Sequence, residues 1–325
     1  MKVRLLAVIL FLSSLFLFGC SDIQTAEPIA KSGMFFDTVI NIQIFGSKDE
    51  SILEHCMDMC REFENKFSRT IETSEIYQIN HAKGMAVTVS SETAGLIKKG
   101  LYYSELSDGA FDITIAPLSE LWDFQNNDGT IPPKEEIENA RAHVDYRNVQ
   151  VEGNTVTLKD PNSAIDLGGI AKGYIADKLK EYLESEGIKH AIINLGGNVL
   201  TLGGKLNGEP FRIGIQKPFD ESGAPITSVE ATDLSVVSSG NYERYFEVDG
   251  KIYHHILNPK TGMPYDNHLY GVTILSKTSV DGDALSTVCY SLGLEKGMEL
   301  IKSLDGVEAL FITDDYKLHD SRTKE

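Results

Sequence analysis

The sequence predicts an α+β protein with one compact domain, on three observations. Of 325 residues, 42% are hydrophobic and 24% charged, enough apolar side chains for a full core and too many for a wholly disordered chain. Strand-like alternation and helix-like spacing follow one another irregularly, without the strict βαβ rhythm of a doubly wound sheet. Neither an internal repeat nor a low-complexity stretch interrupts the part after the leader.

The elements follow in order. Thr38 to Phe45 (TVINIQIF) alternates apolar and polar residues and predicts an opening strand. Ile52, Leu53, Cys56, Cys60, Phe63 and Phe67 recur at helical spacing, so a helix runs from Glu50 to about Lys66. A second helix covers Ser91 to Leu106 and delivers the chain to Ser107-Asp108-Gly109. Pro132-Pro133 opens a charged helical stretch to Ala142, and Val149 to Leu158 reads as a hairpin turning at Gly153-Asn154. Ile165 to Leu167 is expected as a short strand running through Gly168-Gly169 into a helix that ends near Glu186-Gly187. Further strands are expected at Ala191–Asn194, Arg212–Gln216, Ser235–Ser238, Arg244–Val248, Val272–Leu275 and Ala309–Thr313. Helices are expected at Asp283–Leu292 and Glu295–Leu304.

Lys2 and Arg4 precede an apolar run from Leu5 to Phe18 that ends in Leu17-Phe18-Gly19-Cys20. A basic start and a short apolar stretch make an export signal, and the ending resembles a bacterial lipobox, with Phe18 bulkier than is usual there. The expected organisation is a signal peptide over 1–19, a tether over 20–32 acylated at Cys20, and a folded domain over 33–325. The protein is then extracytoplasmic, lipid-anchored to the bacterial cell membrane. A formal charge of −18 argues against nucleic acid, because phosphate backbones need a basic face. The cysteines beyond Cys20 (Cys56, Cys60 and Cys289) show no CxxC or zinc spacing, and Cys56 and Cys60 fall on one apolar helix face.

The sequence contains no GxxxxGK[ST], no GxGxxG opening a βαβ unit, no HExxH and no GxSxG. Four segments carry more glycine, acid and hydroxyl than a plain core requires. In Asp108–Phe124, small and acidic residues follow a turn, and Phe111 or Trp122 is placed to wall a planar ring; the structural alternative is a hairpin with core aromatics. In Ala164–Tyr174, Gly168-Gly169 enter a helix and offer free N–H groups to a phosphate, with Lys172 one turn inside; the alternative is a tight turn and a solvated lysine. Ile192–Asn198 again ends a strand in paired glycines. The last region joins Ser238–Arg244, His254–Gly262 and Asp281–Thr287, where Asp283, Ser286 and Thr287 at i, i+3 and i+4 share one helical face. That oxygen set suits Mg²⁺, or equally an N-cap with ordinary hydroxyls behind it.

Taken together and in order, these blocks resemble the ApbE family of periplasmic flavin transferases. The quoted stretches are Gly109–Trp122, Asp166–Asp177, Asn194–Gly197, Ser238–Arg244, His255–Gly262 and Asp283–Thr287. The resemblance implies an ApbE-like domain related to the T-fold and an enzyme that moves FMN from FAD to a Ser or Thr hydroxyl of an acceptor flavoprotein, releasing AMP. Acceptors of that kind include membrane redox-complex subunits carrying a flavinylation motif. It further implies Mg²⁺, with Mn²⁺ as an alternative, held by Asp283, Ser286, Thr287 and the Gly169 carbonyl. FAD contacts fall on Phe36, Ala110, Phe111, Asp112, Asp166, Lys172 and His255, with His255 as catalytic base. Phe36-Asp37-Thr38 replaces the family's Met-Gly-Thr, and Asn258 replaces its aspartate before Pro259. A Mg²⁺-dependent FAD pyrophosphatase and a non-catalytic flavin-binding lipoprotein remain the alternatives.

Overall fold

The computed structural model describes residues 27–323 except 128 and 221. The expected signal peptide over 1–19 and Cys20 lie outside the described residues. An eight-stranded antiparallel sheet organises the chain. Its strands are β1 (Ile29–Phe35), β2 (Thr38–Ile44), β6 (Ala191–Leu195), β7 (Asn198–Leu202), β10 (Ser235–Gly240), β13 (Leu269–Ser276), β14 (Glu308–Thr313) and β15 (Leu318–Asp320), neighbours in that order. Smaller sheets are β3 (Val87–Thr88), β5 (Thr155–Leu158) and β4 (Val149–Glu152), the ribbon β8 (Phe211–Gln216) with β9 (Pro225–Ala231), and the ribbon β11 (Tyr245–Val248) with β12 (Lys251–His254). The helices are α1 (Glu50–Phe67), α2 (Glu75–His81), α3 (Ser91–Leu106), α4 (Ala116–Trp122), α5 (Lys134–Arg141), α6 (Ala171–Ser185), α7 (Ser279–Leu292) and α8 (Leu294–Lys302).

Period-two alternation decides which face each strand buries. On β2, Ile40, Ile42 and Ile44 enter the core while Val39, Asn41 and Gln43 stay outside it. The main core joins these to the apolar faces of α1, α6 and α7, with Cys56 and Cys60 fully buried and reduced among them. On β14, Ala309 and Phe311 join that core, while Leu310 and Ile312 point the other way into a second cluster with Ile215 and Val229 of β8–β9. The central strands are therefore covered on both faces.

Three expectations about elements change. The sheet already begins at Ile29, so Ile29 to Ser32, expected in the tether, pair with β2. Ile165 to Leu167 form no strand: the Asn80 side chain accepts from Ile165 N–H (2.7 Å) and donates to its carbonyl (2.9 Å), replacing a strand partner. The late helix starts at Ser279 rather than at Asp283, which places Asp283 one turn inside α7 instead of at its cap.

Candidate active site

The site forms where α6 meets α7. Gly173 has no side chain to keep the helices apart, and a Cβ there would drive into the Ser279 carbonyl. Its N–H, one of the first-turn amides that find no acceptor within their own helix, donates to Asp283 Oδ2 at 2.8 Å. The Gly169 carbonyl, which lies just before the helix, accepts no hydrogen bond among the described residues. The Cβ position of Gly169 is 3.6 Å from Thr287 Oγ1 and 2.9 Å from the Phe111 ring, so glycine alone lets these groups meet. Asp283 is 3% exposed, and its Oδ1 faces Lys172 Nζ at 3.8 Å. Lys172 Nζ also donates to the Gly168 carbonyl at 3.1 Å.

Asp283, Thr287 and the unpartnered Gly169 carbonyl thus make an all-oxygen donor group with a single carboxylate. Such a set fits a hard cation that takes its remaining oxygens from water or phosphate. Ser286 is arranged differently. Its buried hydroxyl donates to the Asp283 carbonyl (2.8 Å) and lies 2.7 Å from Ser239 Oγ, which also approaches Thr287 Oγ1 at 3.2 Å. The expectation of free amides at the glycine pair narrows. Gly168 N–H is taken by Asp166 Oδ1 (2.7 Å), and the amides of Ile170 and Ala171 by the Leu167 carbonyl. Those of Gly169 and Lys172 have no partner among the described residues.

The base of the β11–β12 ribbon supplies the opposite side. His255 N–H donates to the Arg244 carbonyl (3.1 Å), which pins Glu243, Arg244 and His255 together. His255 Nδ1 lies 3.4 Å from the same carbonyl; a carbonyl only accepts, so Nδ1 carries the hydrogen and Nε2 is left free. Desolvation, aided by the Arg244 guanidinium and His254 and to a lesser degree Lys172, pushes the His255 imidazole down to about 3. Glu243 keeps solvent-exposed surface although protein surrounds it on most sides, as at the wall of a cleft. Desolvation raises its carboxyl to about 7 against the opposing charges of Lys172 and Arg244, with Asp283 adding to the rise. Neither Glu243 nor the Arg244 guanidinium has an ion-pair partner among the described residues. The sequence reading quoted both within a block but gave neither a role, and it likewise missed Ser239. The signal available was two opposite charges side by side next to the glycine turn. His254, by contrast, is buried and spent: Nε2 meets the Tyr265 carbonyl at 2.8 Å and Nδ1 accepts from Ile256 N–H at 3.3 Å.

The other expected positions divide. Phe111 reaches the Gly169 turn, and Asp166 pairs with Gly168 and, at 3.4 Å, with Arg69 Nε. The Ala110 carbonyl accepts from Tyr265 Oη at 3.0 Å. Asp112 turns inward: Oδ1 accepts from Thr114 N–H and Oγ1 (2.7 and 2.6 Å), Oδ2 from Tyr146 N–H (2.9 Å), and burial raises its pKa. Its carboxylate fixes the turn that presents Phe111. Trp122 walls no ligand, because it is fully buried with Nε1 donating to the Gly262 carbonyl at 2.8 Å. Asp108–Phe124 enters the short helix α4 rather than a hairpin. Phe36 and Asp37 form the two-residue turn of β1–β2, both at positive φ (52° and 55°), and Phe36 N–H donates to Glu64 at 2.7 Å.

The ApbE family profile matches residues 36–311. The chain belongs to the ApbE family. Among its relatives, the FAD:protein FMN transferase of Klebsiella pneumoniae (strain 342) is 39% identical over 270 residues, covering 82% of this chain and 84% of the relative. That of Treponema pallidum is 30% identical, over 93% and 89% of the two chains. Among solved ApbE structures, the Thermotoga maritima ApbE protein superposes with a TM-score of 0.83 at 32% identity, covering 91% of this chain and 97% of the other. The Vibrio cholerae flavin transferase ApbE gives 0.81 at 29%, with the same coverage. The α6–α7 contact and the wall of Glu243, Arg244 and His255 opposite it are thus features of an ApbE chain.

Proposed function

We propose that this chain is an FAD:protein FMN transferase that uses Mg²⁺. The observation that carries the reading is the meeting of Asp283, Thr287 and the unpartnered Gly169 carbonyl beside Lys172, in a chain whose relatives carry that activity. FAD contains a pyrophosphate between its riboflavin and adenosine parts. Asp283, Thr287 and the Gly169 carbonyl would hold Mg²⁺, with Ser286 bracing them through Ser239. Mg²⁺ held there would supply positive charge toward the pyrophosphate and so would ease the departure of AMP. Lys172 and the free amides of Gly169 and Lys172 bind the same anionic part. Ala110, Phe111, Asp112, Asp166 and Phe36 shape the flavin side.

The acceptor's Ser or Thr oxygen attacks the FMN phosphorus, the bond to the bridging oxygen breaks, and AMP leaves with that electron pair. His255 Nε2 takes the hydroxyl proton. Burial is the main cause of its weakened basicity, and the Arg244 and Lys172 cations add to it; a bound pyrophosphate would offset the part due to those two cations. The acceptor is a flavoprotein, for which membrane redox-complex subunits are our candidates. We place the enzyme outside the cytoplasmic membrane, tethered by an acyl chain on Cys20, on the strength of the lipobox-like ending. Cys20→Ala should release the protein from the membrane fraction or stall processing; a mature N-terminus well downstream of Cys20 would contradict the anchor.

Incubation with FAD, Mg²⁺ and an acceptor protein tests the activity. Flavin fluorescence bound covalently to the acceptor is expected. Free FMN and AMP alone would make the chain a pyrophosphatase, and unchanged FAD a flavin carrier.

A further inference from the structure

Helix α7 lacks a cap of its own. Thr278, at its N-cap, makes no capping bond and gives its hydroxyl to Asp281 instead. The first N–H groups of a helix need acceptors from elsewhere, and here a different helix supplies them. Asp177 of α6 accepts from Ser279 N–H with Oδ1 (2.7 Å) and from Val280 N–H with Oδ2 (2.9 Å). Asp177 stands four residues after Gly173, on the same face of α6. The helices are therefore tied in both directions: α6 accepts at the start of α7, and one turn on it donates from Gly173 to Asp283. Ser279 is further held by Asn198 of β7 (2.6 Å) and Ser235 of β10 (3.0 Å).

We infer that Asp177 is a positioning residue for the metal-binding carboxylate: by capping α7 from α6 it fixes the rotation and register of α7, and so holds Asp283 Oδ2 on Gly173 with Oδ1 turned toward Lys172. The inference rests on the Mg²⁺ reading of Asp283. A helix free to slide or turn would break the Gly173 bond, and the carboxylate would lose its orientation. Burial pushes the Asp177 carboxyl up to about 6, yet the fold keeps this desolvated acceptor where an apolar side chain would leave the Ser279 and Val280 amides without partners. The neighbouring Asp281, fixed by Lys99 (2.7 Å) and Tyr103 (2.6 Å) from α3, steadies the same turn from the far side.

The test is Mn²⁺ binding without FAD, read as loss of the free Mn²⁺ signal in electron paramagnetic resonance, together with thermal midpoints. Asp177→Asn keeps one acceptor and opposes an amide donor to the other N–H. It should weaken Mn²⁺ binding about tenfold, the low end for groups that support metal ligands. Asp177→Glu, which keeps both acceptors, should recover part of that loss. Leu310→Ala, a buried change in the second cluster, controls for lost stability and should bind Mn²⁺ as wild type does. Wild-type Mn²⁺ affinity in Asp177→Asn overturns the inference, as does an equal loss in Leu310→Ala. Asp283→Ala separates the two claims: if it binds Mn²⁺ normally the metal reading itself fails, whereas its loss beside a normal Asp177→Asn sinks only the role of Asp177.

Discussion

On the α6–α7 side, the candidate site is fixed by directed polar bonds, between the two helices from Gly173 to Asp283 and from Ser279 and Val280 to Asp177, and between strand β10 and α7 at Ser239 and Ser286. The β11–β12 side is a lone ribbon held by aromatic stacking. Phe246 lies 5.4 Å from Phe124 and 6.3 Å from Trp122, and Tyr253 lies 5.9 Å from Trp122, with interplanar angles of 23° to 29°. The first side spends its polar groups on one another and leaves a few oxygens open. The second spends apolar area and leaves Glu243, Arg244 and the His255 ring without ion-pair partners. Hydrogen bonds set angles, which a cation requires, whereas stacking tolerates small shifts, which suits a wall that must admit both a flavin and an acceptor protein.

The comparison breaks most severely at Trp122. Trp122→Ala should lose about 3–5 kcal/mol of stability and slow FMN transfer, yet leave Mn²⁺ binding intact in the fraction still folded. Chemical denaturation beside a Mn²⁺ titration checks this, and a parallel loss of metal would mean that the two sides are not independent. Gly173→Ala should act in the opposite sense. Overpacking against the Ser279 carbonyl costs about 1–3 kcal/mol, and the displaced α7 should bind Mn²⁺ poorly while the aromatic side stays packed, as tryptophan fluorescence would report.

Lys172→Ala sharpens the contrast within the polar side. Loss of a hydrogen bond to a charged group is worth about 1.5–3 kcal/mol, so FAD should bind about tenfold or more weakly while riboflavin, which lacks phosphate, changes little. Equal weakening of both ligands would remove Lys172 from the phosphate. The smallest effect concerns the paired histidines. His254 is pushed down to about 4 by burial, and His255 to about 3. Both sit below the ordinary histidine value of about 6.5, so their contribution to stability is full above that value and declines as pH falls through it, because only the unfolded chain takes up the protons. Ring-nitrogen NMR should show both imidazoles neutral at pH 6, with His254 holding its hydrogen on Nε2. A midpoint near 6.5 for either would contradict the burial argument.

What the sequence reveals and what it hides follow from the range of the forces involved. Helix α3 falls at Ser91–Leu106 as its pattern predicts, because its cap Ser90 and its apolar face are local. The buried isoleucines of β2 follow from alternation in the same way. The start of α7 is hidden, because its cap comes from Asp177, some hundred residues earlier in the chain. The absent strand at Ile165–Leu167 depends on Asn80, which no local pattern exposes. Within the site, the Gly168-Gly169 pair with Lys172, and Asp283 with Thr287, stand out by residue type and spacing, whereas the metal contact of the Gly169 carbonyl and the catalytic role of His255 are implied by the family resemblance. Glu243, Arg244 and Ser239 acquire significance only when the ribbon and α7 bring them to those groups. Trp122 misleads for the same reason, since its partner Gly262 lies far along the chain.

The central claim is that an Asp283-centred cation site drives transfer of FMN from FAD. FMN transfer to an acceptor protein and the thermal midpoint should be measured on the same Asp283→Ala sample across a Mg²⁺ titration. Losing one such electrostatic contact costs ~3–4 kcal/mol, on the order of 10²–10³ in rate, so turnover should fall by about that factor at every Mg²⁺ concentration while the protein remains folded. A variant that transfers FMN at the wild-type rate at low Mg²⁺, or that loses only stability, would contradict the account.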